Sequence, residues 1–377
     1  MLIDINYELI FSLLYIIPSY FAAEILTIRN TRANVHIHYV IFIGRPYYPV
    51  HTFTSPIEYD KILIYSEKRV IIMNTPFKCI AYIFCMSDDG LPKLRFDIVT
   101  HVNYAFAIPT KDGHVLPLAQ PDHARSVIKE AHAHGAKVCI SLGGWSYEDI
   151  PLEATFREAT NTPEKIALLA EEIIALAEDY GFDGVDVDWE YPRVGDGSKE
   201  QYEAFIGLLY DRLKPKGMLL TAAILAGVDS QNLPITSATD AQDFPSFDKL
   251  DWVNLMTYDC DGPKHSTYEF AKNSIEYWVN VRGFAPEKMT LGVPFYGKPI
   301  PTEYTVLLEA DADAADKDMV VIDGTEIWYN GRQTLKDKVA LAKEYGLGGV
   351  MLWEISHDST DPDKSLLVAL GQAMAEA

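Results

Sequence analysis

Three carboxylates lie at alternate positions in the run GFDGVDVDWEYP, Gly181 to Pro192: Asp186, Asp188 and Glu190. In a β-strand, side chains two residues apart share a face, with Cα atoms roughly 6–7 Å apart. The intervening Val185, Val187 and Trp189 then point the other way, towards apolar bulk. Three acidic groups on one line resist simultaneous ionisation, which raises at least one pKa. A carboxyl group kept protonated near neutral pH can act as a general acid. A solvated acidic strand, or a Ca²⁺ site built from carboxylates, would use the same residue types. The Gly, Trp, Tyr and Pro placed around the carboxylates count against both.

The run from Asp183 through Pro192 resembles the DGxDxDWEYP signature of glycoside hydrolase family 18, the chitinases and related endo-β-N-acetylglucosaminidases. Retaining hydrolysis ordinarily pairs an acid with a nucleophile, and family 18 departs from this by substrate-assisted catalysis. The resemblance implies that the acetamido oxygen of the bound sugar attacks its own anomeric carbon. Glu190 would protonate the leaving glycosidic oxygen and then deprotonate the incoming water. Asp188 would hold the acetamido N–H and stabilise the oxazolinium intermediate, and Asp186 would share a proton with Asp188. Asp183, an odd number of residues away, cannot share their face in a regular strand and takes a structural role. The implied substrate is chitin or another N-acetylglucosamine-containing glycan, handled without a metal or an organic cofactor.

The elements that must position these residues alternate between strands and helices. Strand-like runs fall at Cys79–Phe84, Val102–Ala107, Lys137–Leu142, Gly184–Asp188, Leu219–Leu225, Trp252–Tyr258, Met289–Phe295 and Gly349–Trp353. Eight such runs separated by helical patterns predict an α/β fold, a (β/α)8 TIM barrel with the helices outside. An open doubly wound sheet is the structural rival, but no glycine fingerprint for a dinucleotide follows any strand. Thr162-Pro163 opens one helix, whose apolar stripe runs through Ile166, Leu169, Ala170, Ile173, Ala177 and Tyr180 to a stop at Gly181. Ser198 with Gln201 predicts a capping box, and Thr334 with Asp337 predicts the start of another helix.

In a barrel, functional groups gather at the C-terminal ends of the strands. ISLGGWS, Ile140 to Ser146, resembles the SxGG element of the family, its glycines allowing close backbone approach. LMTYDCDG, Leu255 to Gly262, resembles the MxYD element. That likeness implies that the Tyr258 hydroxyl binds the substrate acetamido group, with Met256 and Asp259 beside it; a buried structural tyrosine is the alternative. Trp353, at the end of the last strand, would be the apolar floor beneath the sugar before the scissile bond. Tyr82 and Phe106 match positions lining the same subsite, and Tyr296 in GVPFYGK is a further sugar contact. Many relatives carry arginine where Lys298 stands, so a planar bidentate contact is in question there. Many chitinases also insert a sizeable α+β domain between the seventh and eighth strands, where this chain has only residues 296–348. The reduced insertion implies a low cleft wall and a shallow groove suited to internal cuts. His132 and His134, two apart on a helix, do not share a face and read as surface residues rather than metal ligands.

The formal net charge of −22 argues against nucleic acid, whose phosphates call for a basic footprint. Apolar residues make up 48% of the chain, enough for a full core. Cys79, Cys85, Cys139 and Cys260 lie in or beside apolar runs and read as buried free thiols. Residues 1–72 differ from the rest, with acidic and basic residues in balance, so the net negative charge belongs to residues 73–377. The sequence therefore divides into an N-terminal extension, 1–72, and a catalytic barrel, 73–377. The apolar run Leu9–Ile28 is interrupted by Pro18 and Glu24 and makes a marginal membrane span, and the acidic start is unlike a secretory signal. Membrane contact by this segment and the site of action are left open, with Met73 the favoured functional start. The barrel is expected to be a monomer. Rival functions are a chitinase-like lectin, which typically lacks the acid, and an endo-β-N-acetylglucosaminidase acting on N-glycans or cell-wall glycans. A carboxylate-rich metal-binding barrel is more remote.

Overall fold

The computed structural model of the chain describes residues 77–86 and 90–376 and, before them, the backbone of four strands. Two compact units meet at Pro76 and Phe77 in the chain. In the first unit, Ala22–Asn30 pairs antiparallel with Val35–Ile43, and Leu63–Ser66 with Arg69–Ile72. Most of the apolar run Leu9–Ile28 lies outside the described residues, as does Met73. No helix among the described residues is long and apolar enough to cross a membrane.

The second unit is a closed barrel of eight parallel strands. They are β1 Lys78–Phe84, β2 His101–Ala107, β3 Lys137–Gly144, β4 Gly184–Trp189, β5 Leu219–Leu225, β6 Trp252–Met256, β7 Met289–Pro294 and β8 Gly349–Trp353. Each strand pairs with its chain neighbours, and β8 closes on β1 through the Met351–Ile80 register. This is the predicted (β/α)8 architecture. The runs read from sequence agree with these bounds within two residues at either end. The largest shortfall is in β6, which stops at Met256 instead of Tyr258. The Thr257 amide turns back to the Leu255 carbonyl at 3.0 Å and its hydroxyl donates to the Gly292 carbonyl at 2.6 Å, so the ladder ends there.

Period two sorts β4 into two faces. Val185, Val187 and Trp189 join the core between strands and helices, where the Trp189 ring stacks on Phe156 at 4.8 Å and meets Tyr202 edge-on at 5.9 Å. Inside the barrel, Ile80, Tyr82, Ala105, Ala223, Trp252, Met256 and Met351 form a second apolar cluster. The helix Pro163–Tyr180 packs as its stripe predicts, with Thr162 accepting from the Lys165 amide and Gly181 ending it at φ 84°. Two helix starts differ from the sequence expectation. Gly197, at φ 86°, caps the helix Ser198–Leu213, while the Ser198 hydroxyl is occupied by Arg193 and Asp196, so no Ser198–Gln201 box forms. The helix Arg332–Glu344 begins two residues before Thr334, whose hydroxyl donates to Asp318 at 2.7 Å. A short hydroxyl side chain near a helix end goes to the nearest strong acceptor, and in both cases a carboxylate competes successfully.

Between β7 and β8 the chain forms the helix Tyr304–Ala310, the hairpin Met319–Ile322 with Thr325–Trp328, and the outer helix Arg332–Glu344. The insertion is small, as the sequence length requires. Cys79, Cys85 and Cys139 are buried free thiols and Cys260 is a half-buried one.

Candidate active site

Asp186, in the middle of β4, faces Ser141 on β3 and Thr221 on β5 in the strand register. Both hydroxyls donate to its carboxyl, at 2.8 and 2.5 Å. Tyr82 Oη adds a bond at 2.7 Å from β1, and Asn254 Nδ2 one at 3.2 Å from β6. Burial raises the Asp186 pKa, and these four donors pull against that rise. Parallel strands in a closed barrel therefore converge on one fully buried carboxyl, which no single strand could satisfy.

Asp188 is one step nearer the C-terminal end of the barrel. Burial pushes its pKa well above the usual carboxylate range, and the charges of Glu190 and Asp186 push it further. Its side chain hydrogen-bonds Glu190, and its Oδ1 has no partner among the described residues. The expected proton sharing between Asp186 and Asp188 is not the arrangement found. Asp186 has both oxygens engaged by other donors, so it acts on Asp188 through charge, and the carboxyl–carboxyl bond joins Asp188 to Glu190.

Glu190 lies just past β4 and is half-buried. Burial raises its pKa to about 7, Tyr191 opposes the rise by a hydrogen bond, the Asp259 charge adds to it, and the bond from Asp188 works against it. An acid of this strength at the mouth of a barrel can deliver a proton near neutral pH and take one back. Gly143 and Gly144, at φ 116° and 91°, make the room around this line. A Cβ on Gly143 would run into the Asp188 carbonyl and the Phe156 ring, and one on Gly144 into the Phe106 ring.

An aromatic wall stands beside the carboxylates. Trp353 is 5.5 Å from Tyr82 and lies near-parallel to Phe106 at 5.5 Å between ring centroids. Just after Trp353, the buried Glu354 accepts from the Phe84 and Ser356 amides, fixing the strand end that carries the indole. Met256 and Tyr258 pack on the same interior cluster, and Tyr258 Oη approaches Met351 Sδ at 3.8 Å. Burial raises the Tyr258 pKa far enough to keep its hydroxyl a donor. Asp259 and Tyr296 are joined directly, with Tyr296 Oη donating to Asp259 Oδ1 at 2.7 Å. Lys298 Nζ meets the same oxygen at 3.0 Å, a point contact in place of a bidentate one. Burial tends to raise the Asp259 pKa, but hydrogen bonds from His265, Tyr296 and Lys298 overcome it and hold the group at about 2.

Asp183 lies at the opposite end of β4, where it accepts from Lys137, the Val138 amide and His132 at 2.7 to 2.8 Å. His132 and His134 are both exposed. Among the described residues no cluster of three or more His, Cys, Asp or Glu could hold a metal. Thr221, Asn254, Tyr191 and His265 escaped the sequence reading. The signal for the first two was present: each is a polar residue at an inward position of an otherwise apolar strand, LLTAAIL and WVNLM.

The model of the family "Glycosyl hydrolases family 18" matches residues 78–358, from the first strand to beyond the last. A chitinase-like effector of Moniliophthora roreri is 32% identical over 238 residues, 56% of this chain and 56% of that protein. The chain thus matches just over half the length of that relative. The crystal structure of a family 18 chitinase from the chitin utilization locus of Flavobacterium johnsoniae is similar with a TM-score of 0.66 and 30% identity, covering 79% of this chain and 94% of that one. A chitinase structure from Bacteroides thetaiotaomicron gives a TM-score of 0.69 and 27% identity, covering 80% and 97%. The closed barrel, the carboxylate strand and a family match spanning all eight strands agree, and the chain belongs to glycosyl hydrolase family 18.

Proposed function

We propose that this protein is a chitinase that hydrolyses β-1,4-linked N-acetylglucosamine chains with retention of configuration, by substrate-assisted catalysis. The observation that carries the reading is the half-buried Glu190 carboxyl just past the end of β4, raised to about 7 and hydrogen-bonded to Asp188, whose pKa burial and the neighbouring carboxylates also raise. Glu190 gives its proton to the glycosidic oxygen as the bond from the anomeric carbon breaks. The acetamido oxygen attacks that carbon from the other face and forms an oxazolinium. Asp188 Oδ1, which lacks a protein partner, accepts the acetamido N–H, while the Asp188–Glu190 hydrogen bond supports the carboxylate left on Glu190. A water then attacks the anomeric carbon and passes its proton to Glu190, as the bond to the acetamido oxygen breaks and the neutral acetamide is restored. Tyr258 Oη donates to the acetamido oxygen, and Trp353 receives the apolar face of the ring.

The test is the anomeric configuration of the first product, followed by proton NMR on N-acetylated and fully deacetylated oligomers. The expected result is a β-anomer from the acetylated oligomers and no cleavage of the deacetylated ones. An α-anomer, or equal cleavage of both, would sink the substrate-assisted route. A non-hydrolytic carbohydrate-binding role has the effector relative in its favour. The intact Glu190 weighs towards the hydrolase.

A further inference from the structure

Asp259 has its backbone in the left-handed region, at φ 61°. Asp enters this region more readily than most non-glycine residues, and contacts to its amide and carboxylate add to its hold there. Its carboxylate is held unevenly. Oδ1 takes Tyr296 Oη and Lys298 Nζ and faces His265 Nδ1 at 3.3 Å, whereas Oδ2 has no protein partner among the described residues. The side chain is 47% exposed, so one oxygen is saturated and the other is presented.

His265 meets Asp259 twice through one atom. Nδ1 lies 3.3 Å from the Asp259 amide nitrogen and 3.3 Å from its carboxylate. As an acceptor, Nδ1 secures the left-handed backbone; carrying a proton, it secures the carboxylate. The ring is 1% exposed and 5.1 Å from the Tyr296 ring. The next residue locks the loop: Lys338 Nζ donates to Ser266 O at 2.8 Å, to Ser266 Oγ at 2.7 Å and to Asn330 Oδ1 at 2.7 Å. His265 also lines an open pocket of about 230 Å³, with the exposed Lys264 and Glu269 at its walls.

We propose that His265 is a positioning residue for substrate recognition, holding Asp259 through either its amide or its carboxylate so that Oδ2 is aimed at a hydroxyl or amide N–H of the bound sugar. The proposal rests on the reading of Asp259 as a sugar-binding residue. Losing one charge-assisted hydrogen bond to substrate corresponds to about tenfold or more in affinity.

The test uses the full chain and a fluorogenic chitotrioside. His265→Ala should raise KM about tenfold with kcat changed by less than about threefold, the pattern of lost binding that is equal in ground and transition states. Asp259→Ala should raise KM at least as much and also change kcat, because the Asp259 charge helps hold Glu190 protonated. The KM of the double variant should be no worse than that of Asp259→Ala alone, because the two act as one unit. Added imidazole should lower the KM of His265→Ala by entering the space left beside the pocket. His265→Gln, which keeps a polar group near Asp259, should fall between wild type and alanine and serves if the alanine variant does not fold. A raised KM in Asp259→Ala with unchanged KM in both His265 variants would overturn the proposal alone. So would strictly additive losses. An unchanged KM in Asp259→Ala would remove the sugar-binding reading of that residue, and the proposal with it.

Discussion

Glu190 is held protonated mainly by its removal from water, and the negative Asp259 adds to the effect. As the proposed general acid, Glu190 must carry its proton in the free enzyme, so kcat/KM should fall about tenfold per pH unit above roughly 7. A kcat/KM profile flat from pH 6 to 9 would contradict the assignment. Because Glu190 and Asp188 interact, the limb reports the pair rather than either carboxyl by itself. The carboxylate line was legible in the sequence because period two is a local rule. The Asp186 shell was not, since Tyr82, Ser141, Thr221 and Asn254 come from four other strands and meet only when the barrel closes. The same holds for His265, whose partner is six residues away across a loop with no periodicity to read.

Strand β4 depends on its outer face as much as its inner one. Trp189 is fully buried between Phe156 and Tyr202. Trp189→Ala should therefore destabilise the barrel by about 3–5 kcal/mol in urea unfolding, a loss under 1 kcal/mol being the contrary result. The helix Arg332–Glu344 contributes the buried Lys338, whose pKa burial pulls down to about 7. Between pH 7 and the ordinary lysine value, the unfolded chain binds a proton that the folded one does not, so stability rises with pH through that window. Lys338→Met should cost about 1–3 kcal/mol near pH 7 by leaving buried oxygens short of a donor. The gap to wild type should widen towards pH 10, and a constant gap would show that Lys338 titrates normally. Helix bodies were legible from their apolar stripes, and the start at Thr162 from its cap. The starts at Ser198 and Thr334 were not, because Asp196 and Asp318 take those hydroxyls.

The barrel as a whole was legible because eight apolar runs alternate with helical stripes, and parallel strands need crossovers that such helices supply. The small connection between β7 and β8 is expected to leave one side of the groove low, which would suit binding along the middle of a polymer. Soluble chitin derivatives should lose viscosity early, before much disaccharide accumulates; disaccharide dominating from the first minutes would speak against a shallow groove. The most direct measurement of Glu190-dependent hydrolysis is fluorophore release from umbelliferyl chitobioside and chitotrioside by the full chain and by Glu190→Gln, with circular dichroism to show that both are folded. The wild type should turn these substrates over, and the variant should lose at least about 10²–10⁴-fold, the range supplied by a positioned general acid. Equal turnover by a folded Glu190→Gln protein would contradict that role, as would a folded wild type that binds these oligomers and releases nothing.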